Sequence, residues 1–416
     1  MNLVIFEDKQ TDRFAPISHV RGIFELRCGA TSLCCKIARN VDKDVSALIV
    51  RDYLVPTLAA RCDKPINDLS GVSGDVLFIN ARMRCENWKV PDPGIAFWKG
   101  DQLAAWRTTG HFAEIDSIET LFAAAEQSAR AEYEGRWFDY IWDVMLANPE
   151  EITADFDAIG KNGIHGVMHE SAVIHGPKDR VFVGDGASIH PLVCIDTNAG
   201  PVTIEPGCEV HPFTRIEGPC YVGAGSILLG AKVREGSSIG PNCRVGGEVE
   251  ESIIHGNSNK YHDGFLGHAY VGEWVNLGAL TTNSDLKNDY SNVSVIVNNR
   301  PVDTGSRKVG SIIGDHVKTS IGTLLNTGSV VGTMAVLVAT GAPLPKYIPP
   351  FTWFLGGAIT KGFGLRGLID TARTAMSRRK VDLTDSMEEL LHQVFEMTAA
   401  DRNAHVERAR RAMVGA

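Results

Sequence analysis

The stretch Ile204 to Val245 reads IEPGCEVHPFTRIEGPCYVGAGSILLGAKVREGSSIGPNCRV, with aliphatic residues at Ile204, Val210, Ile216 and Val222 and again at Ile227, Val233, Ile239 and Val245. A period of six fits neither an amphipathic helix nor a long alternating strand; it is the pattern of a hexapeptide parallel β-helix. Each repeat is one short strand and a turn, and its aliphatic residue points into the axis of the coil. The ladder runs back to Val183, Ile189 and Ile195. It runs forward to Phe265, Val271 and Leu277 and, after a break, to Ile313, Thr319, Leu325, Val331 and Leu337. Glycine follows many rungs directly, as at Gly184, Gly223, Gly240, Gly272 and Gly314, where a tight corner is needed. The solenoid is expected over residues 161–345.

Outward from the ladder, residues 1–135 have the pattern of an α/β domain. Leu3 to Phe6, Ser46 to Val50 and Asp75 to Asn80 read as buried strands, and Gly22 to Arg39 and Ser117 to Arg130 as helices. The loop after the first strand is the most charged. A loop in that position of an α/β sheet is a usual place to hold phosphates, which makes Arg13, Arg21 and Arg27 candidates for an anionic ligand. Tyr133 to Phe156 has helical spacing and a break at Asn148-Pro149, giving a connector over residues 136–160. Residues 346–416 form the tail. Four prolines between Gly341 and Pro350 predict an extended exit outside the coil. Met387, Leu390, Leu391, Val394 and Phe395 then share one helical face, with Thr384 or Ser386 as N-cap. That face is expected to cover the open end of the coil or a neighbouring subunit. Arg378-Arg379-Lys380 reads as a solvated face.

At 416 residues and 44% apolar, the chain can bury several cores. A net charge of −9 leaves no electrostatic footprint for nucleic acid, no apolar run is long enough to span a membrane, and the N-terminus has no signal-peptide pattern, which predicts a cytoplasmic protein. The nine cysteines show no C-x-x-C spacing, so neither a zinc knot nor a disulfide framework is expected.

The coil is interrupted at Asn257 to Asp263, and ligand sites of a solenoid belong at such interruptions or between subunits. Lys260, His262 and Asp263 fall within four residues there. Imidazole is the side chain that titrates closest to neutral pH, so His262 is a candidate general base for an amine or hydroxyl attacking a thioester, with a backbone amide as oxyanion donor. His268 lies one hexapeptide on, at another corner, and reads as structural. The competing chemistry is zinc held between subunits by His165, His169, His175, His190, His211, His255, His262 or His268, which requires three imidazoles to converge.

At these residues the sequence resembles the left-handed β-helix acyltransferases, and among them the GlmU-type bifunctional N-acetylglucosamine-1-phosphate uridylyltransferase/glucosamine-1-phosphate acetyltransferases. Lys260-Tyr-His262-Asp-Gly-Phe265-Leu-Gly267 and Val275-Asn276-Leu-Gly278-Ala-Leu280-Thr281 follow the family's K-x-x-H-L-T-Y-I-G and V-N-x-G-A-G-T segments. Phe265 replaces a tyrosine and Leu280 a glycine. The resemblance implies a nucleotidyltransferase-like, Rossmann-like α/β domain, a left-handed parallel β-helix and a helical tail, assembled as a homotrimer. It implies acyl transfer from acetyl-CoA to an amino sugar or sugar phosphate, with His262 as catalytic base. Lys260, Asp263, Phe265, Asn276 and Asn283 would be the substrate or acyl-donor contacts. Arg13, Arg21, Arg27 and Asn80 would contact a nucleoside triphosphate, with Mg²⁺ if the N-terminal domain is active, and no resident metal is expected. That domain lacks the G-x-G-T-R-M phosphate loop, and Asn80-Ala81 stand where Gly-Asp would hold Mg²⁺. Those residues point to weak or absent nucleotidyl transfer. The alternative from another class is a non-catalytic sugar-nucleotide sensor or scaffold.

Overall fold

The structure, a computed structural model, describes residues 1–414. The N-terminal domain is a mixed sheet ordered Val45–Ile49, Asn2–Phe6, Ser73–Asn80, Gln102–His111, Ile95–Lys99, Ala129–Glu132; the first three strands are parallel. Its central strands are continuous apolar runs, as burial on both faces requires. Helices α1 (Leu33–Val41), α2 (Val55–Ala59) and α3 (Ile118–Ala125) flank the sheet. The stretch from Gly22 to Arg39 is only partly helical. Gly29, at φ 71°, turns Arg27–Cys28 back on Thr31–Ser32, and α1 begins after the Ser32 hydroxyl caps Cys35 N. The second expected helix stops at Ala125, and Ala129–Glu132 forms an edge strand instead. The connector is two helices, α4 (Ile141–Leu146) and α5 (Asn148–Ile159), with Pro149 in the first turn of α5 where its missing N–H costs nothing.

The solenoid follows. On one face ten short parallel strands stack in register, and the rung residues Val183, Ile204, Val222, Ile239, Ile254, Val271, Ile313, Val331 and Ile348 are each at most 1% exposed. Two expected rungs are displaced by one residue. Leu228, not Ile227, pairs with Val210, and Leu266, not Phe265, pairs with Val249, because both coils close with a shorter corner. The coil also outruns its expected end. Tyr347–Ile348 pairs with Val330–Val331 and Trp353–Leu355 with Val336–Leu337, so the proline-rich segment is a last coil rather than an exit. Pro349 and Pro350 sit at its corner, where no ladder N–H is required of them.

One corner column is left-handed at nine successive levels: Gly186, Gly207 and Gly225, then Asn242, Asn257, Trp274, His316, Met334 and Phe351. A left-handed L-residue costs roughly 1–2 kcal/mol. The four bulky occupants occur where the corner is covered, and Trp274, His316, Met334 and Phe351 are 8%, 7%, 2% and 1% exposed. Burying side chains of the size of Met or Phe returns about 1.5–3 kcal/mol each, enough to offset the backbone cost.

The cover comes from both ends of the chain. After α6 (Gly364–Ser377), helix α7 (Asp385–Met397) is capped by Thr384 and buries Leu390, Leu391 and Val394 in the same core as Ile17, Leu54, Leu58, Trp274 and Met334. The α7 face therefore packs between the N-terminal domain and the side of the coil, and Thr57 Oγ1 donates to Ser386 O at 2.9 Å. It does not close the coil's open end. Helix α8 (Ala399–Val414) lies beyond it, where Asp401 accepts from Tyr347 Oη and from Asn299 of the inserted hairpin Ser294–Val297/Arg300–Asp303. Among the described residues, no helix is long and apolar enough to cross a membrane.

Candidate active site at a solenoid corner

His262 lies in the turn between Asn259–Lys260 and Phe265–Gly267, at a second corner of the coil. Its side chain is exposed and has no hydrogen bond or ion pair among the described residues; Tyr261 lies beside it with ring centroids 5.9 Å apart. The turn itself is firmly held. Lys260 occupies a rung position between Val245 and Leu277 and is 3% exposed, and its Nζ reaches out of the core to donate to Gly246 O at 2.9 Å and His262 O at 2.6 Å. Burial pushes the Lys260 ammonium down to about 8, with Asp263 opposing. From the next coil, Leu280 N donates to Asp263 O at 2.8 Å. Gly264, at φ 128°, leaves no room for a Cβ, which would lie 2.2 Å from Thr281 O. A free imidazole on an over-determined turn can accept a proton without repacking anything.

The sequence candidates divide by the face they occupy. Asn276 is exposed one coil on, stacked under Asn259, whose Nδ2 donates to Asn276 Oδ1 at 3.1 Å. Asp263 is exposed beside His262, and Phe265 is half-buried on the adjoining face. Lys260 and Asn283 point inward. Asn283 takes a rung, 2% exposed, exchanging hydrogen bonds with Gly267 N and O at 2.8 and 2.9 Å. His268 is at a third corner. It is 3% exposed, with Nδ1 2.8 Å from Asp285 and Nε2 3.3 Å from Glu251, and these carboxylates outweigh burial to raise it to about 9.

The loop after the first strand is occupied by its own chain. Arg21 is buried, with Nη2 2.9 Å from Asp315 Oδ1 and 3.4 Å from Glu273 Oε2 of the coil. Arg13 pairs with Asp139 at 3.5 Å and lies over Tyr140. Arg27 donates to Ala30 O at 2.7 Å and lies over Tyr221. Asn80 is buried and donates to Asp8 Oδ2 at 2.8 Å and to Leu103 O. The same Asp8 oxygen takes Arg82 at 2.5 Å, and Gln10 N donates to Asp8 Oδ1. Glu7 pairs with Arg51 at 3.0 Å, yet burial pushes its carboxyl up to about 7. Beside them is a cleft of about 350 Å³ whose walls include Asp101, Gln102, Glu119, Glu126 and Lys9, with Lys9 paired to Glu119.

Mg²⁺ does not fit this end of the sheet. Asp8, the carboxylate nearest Asn80, is spent on Arg82, Asn80 and Gln10, and no group of three potential metal ligands occurs among the described residues.

The two parts together are an α/β domain with a mixed sheet docked on a hexapeptide parallel β-helix through one shared core. Residues 3–163 match the family model described as sugar nucleotidyl transferase. A bifunctional sugar-1-phosphate nucleotidylyltransferase/acetyltransferase of Sulfurisphaera tokodaii is 35% identical over 227 residues, 53% of this chain and 50% of that protein. The bifunctional protein GlmU of Acidovorax sp. (strain JS42) is 39% identical over 122 residues, 27% of this chain and 25% of that one. The chain thus spans half or less of the length of these relatives. The solved UDP-N-acetylglucosamine acyltransferase of Francisella novicida aligns over 59% of this chain and 89% of its own at 16% identity, with a TM-score of 0.30, too low to bear on the fold. Over those parts the chain is similar to these bifunctional proteins.

Proposed function

We propose that the chain transfers an acyl group from acyl-CoA, acetyl-CoA in the first instance, to an amino sugar or sugar phosphate. The observation that carries this is His262, exposed and unpaired on a turn fixed by Lys260 from below and by Leu280 N from the next coil. In the reaction the acceptor's amine or hydroxyl attacks the thioester carbonyl while His262 takes its proton. The new C–N or C–O bond replaces the C–S bond, and the proton leaves with the thiol. Asp263 and Asn276, both exposed, would orient substrate.

The acting unit would be a cytoplasmic homotrimer. In support, Leu192, Phe213, Leu280 and Ile321 line the same corner as His262 and are 55%, 75%, 60% and 72% exposed, an apolar column that a neighbouring coil would bury. The N-terminal domain would have little or no nucleotidyl transfer. Its first loop spends its charges on internal pairs and on docking to the coil, which leaves neither a phosphate cradle nor a metal site. Because the enzyme relatives do not favour a non-catalytic sensor, turnover is the direct test. Thiol release from acetyl-CoA is to be measured with glucosamine-1-phosphate and a panel of amino sugars. An acceptor-dependent rate supports the reading, and no release with any acceptor at enzyme concentrations where trimers form overturns it.

A further inference from the structure

A cationic cluster lies on the coil face that leads into the His262 turn. The outward residues of this face, stacked by strand register, are Arg244, Asn259, Asn276 and Lys318. Lys318 turns its Nζ away to Trp274 O at 2.6 Å and His316 O at 2.9 Å. Arg244 is only partly buried and donates to two backbone carbonyls, Gly225 O and Cys243 O, both at 3.0 Å.

The C-terminal tail adds a second guanidinium. Between α6 and α7 the chain crosses this face, and Arg379 Nη2 donates to Asn259 Oδ1 at 2.7 Å, which places it over the strand paired with Arg244. Arg378 and Lys380 flank it in the sequence and are exposed. The run expected to be a plain solvated face is therefore anchored through its middle residue to the coil. Among the described residues, no carboxylate lies within ion-pair distance of Arg244, Arg378, Arg379 or Lys380, whereas Arg21, Arg51, Arg82, Arg84 and Arg107 all have acidic partners. Arg244 and Arg379 also repel one another. That repulsion and partial burial both push the Arg379 guanidinium down from its ordinary value, burial contributing more.

Two guanidiniums held together with no counter-charge, on the approach to an exposed histidine, are the arrangement that a doubly charged oxyanion satisfies. We propose that Arg244 and Arg379, with Asn259 fixing Arg379, form a phosphate-binding subsite for a ligand whose reacting end lies at His262. The site belongs to one chain, because its parts come from the coil and from the tail that folds back on it. This inference rests on the acyl-transfer reading for its geometry but not for its test. The phosphate has two candidate sources, the 3′-phosphate of the acyl donor and the phosphate of the acceptor.

The test is binding to the full chain, measured by calorimetric titration and by melting-temperature shift. The probes are CoA, 3′-dephospho-CoA, glucosamine-1-phosphate and glucosamine. The proteins are wild type, Arg379→Gln, Arg244→Gln and His262→Ala. Arg379→Gln removes a side chain with one hydrogen bond and should fold; should Arg244→Gln melt early, Arg379→Gln and the charge-retaining Arg379→Lys carry the comparison. For one phosphate-bearing probe, binding should weaken about tenfold or more in the Gln variants, in line with loss of a charge-assisted bond, and Arg379→Lys should restore part of it. The phosphate-free counterpart should be insensitive to the substitution, and the probe that shows the contrast identifies the source. His262→Ala should bind as wild type does, which separates the subsite from the base. Equal binding of every probe by wild type and Arg379→Gln, or no binding of any phosphate-bearing probe by wild type, overturns the proposal.

Discussion

A lysine on a rung is an expensive residue: its methylenes pack well in the coil, but its ammonium has no place there unless it finds acceptors. Lys260 finds two, and one is the carbonyl of His262. Its role is to hold the turn, so Lys260→Met should keep the fold, with a stability change of ~1 kcal/mol or less, and lower acyl transfer by ~10- to 100-fold through misplacement of the imidazole. Melting curves and thiol release on the same preparations check both. The pH dependence has a definite sign. Lys260 holds its proton less well in the fold, about 8, than unfolded at ~10.4, so the unfolded chain binds the extra proton between those values. Wild type should gain stability relative to Lys260→Met as pH rises from about 8 to ~10. His268 has the opposite sign. Raised to about 9 from ~6.5, it stabilises fully below pH ~6.5 and loses that contribution as pH rises through 9. His268→Ala should therefore cost on the order of 2 kcal/mol at pH 6 and much less at pH 9.5, as read by denaturant titration at each pH.

At the scale of the element, the decisive piece is the loop from Glu7 to Arg21. Its position after the first strand suggested a phosphate site, and its charges are instead spent on Arg51, on Arg82 and, through Arg21, on Asp315 and Glu273 of the coil. Nothing in the local sequence could reveal this, since Arg21 and Asp315 are joined only by the tertiary fold. Breaking the pair leaves buried carboxylates uncompensated, so Arg21→Met should destabilise the protein by ~3–5 kcal/mol. Adding Asp315→Asn should recover part of the loss in chemical denaturation; additive losses would show that the pair is not coupled. The coil was the most legible element, because a six-residue period survives in one dimension. Its failures were local. Five-residue corners slid Ile227 and Phe265 off the rungs, and two-residue strands tolerated the prolines at 349 and 350 that seemed to end the coil.

Across the whole molecule, the two domains share one core, and that sharing explains what the sequence could and could not disclose about function. That His262 and Asn276 lie outside the core could be read locally, since neither falls on an aliphatic rung. Asn283 and Lys260 were legible as unusual but not as inward-facing, since only the register shows which way a polar rung points. Arg379 was read as solvated because its partner, Asn259, is 120 residues away. The docked first loop also makes a prediction for the N-terminal domain. With UTP or dTTP, a sugar-1-phosphate and Mg²⁺, pyrophosphate release should stay far below ordinary enzyme rates, which are ~1–10³ s⁻¹, and release within that range would show that another residue set holds the metal.

If His262 is the base of an acyl transfer, thiol release by His262→Ala beside His268→Ala will show it. His262 is exposed and His268 is buried between two carboxylates, so His262→Ala should melt close to wild type and lose ~10²- to 10⁴-fold in rate. His268→Ala should melt lower and lose far less activity at temperatures where it is folded. Near-wild-type turnover by His262→Ala on an accepted substrate would rule the imidazole out as the base.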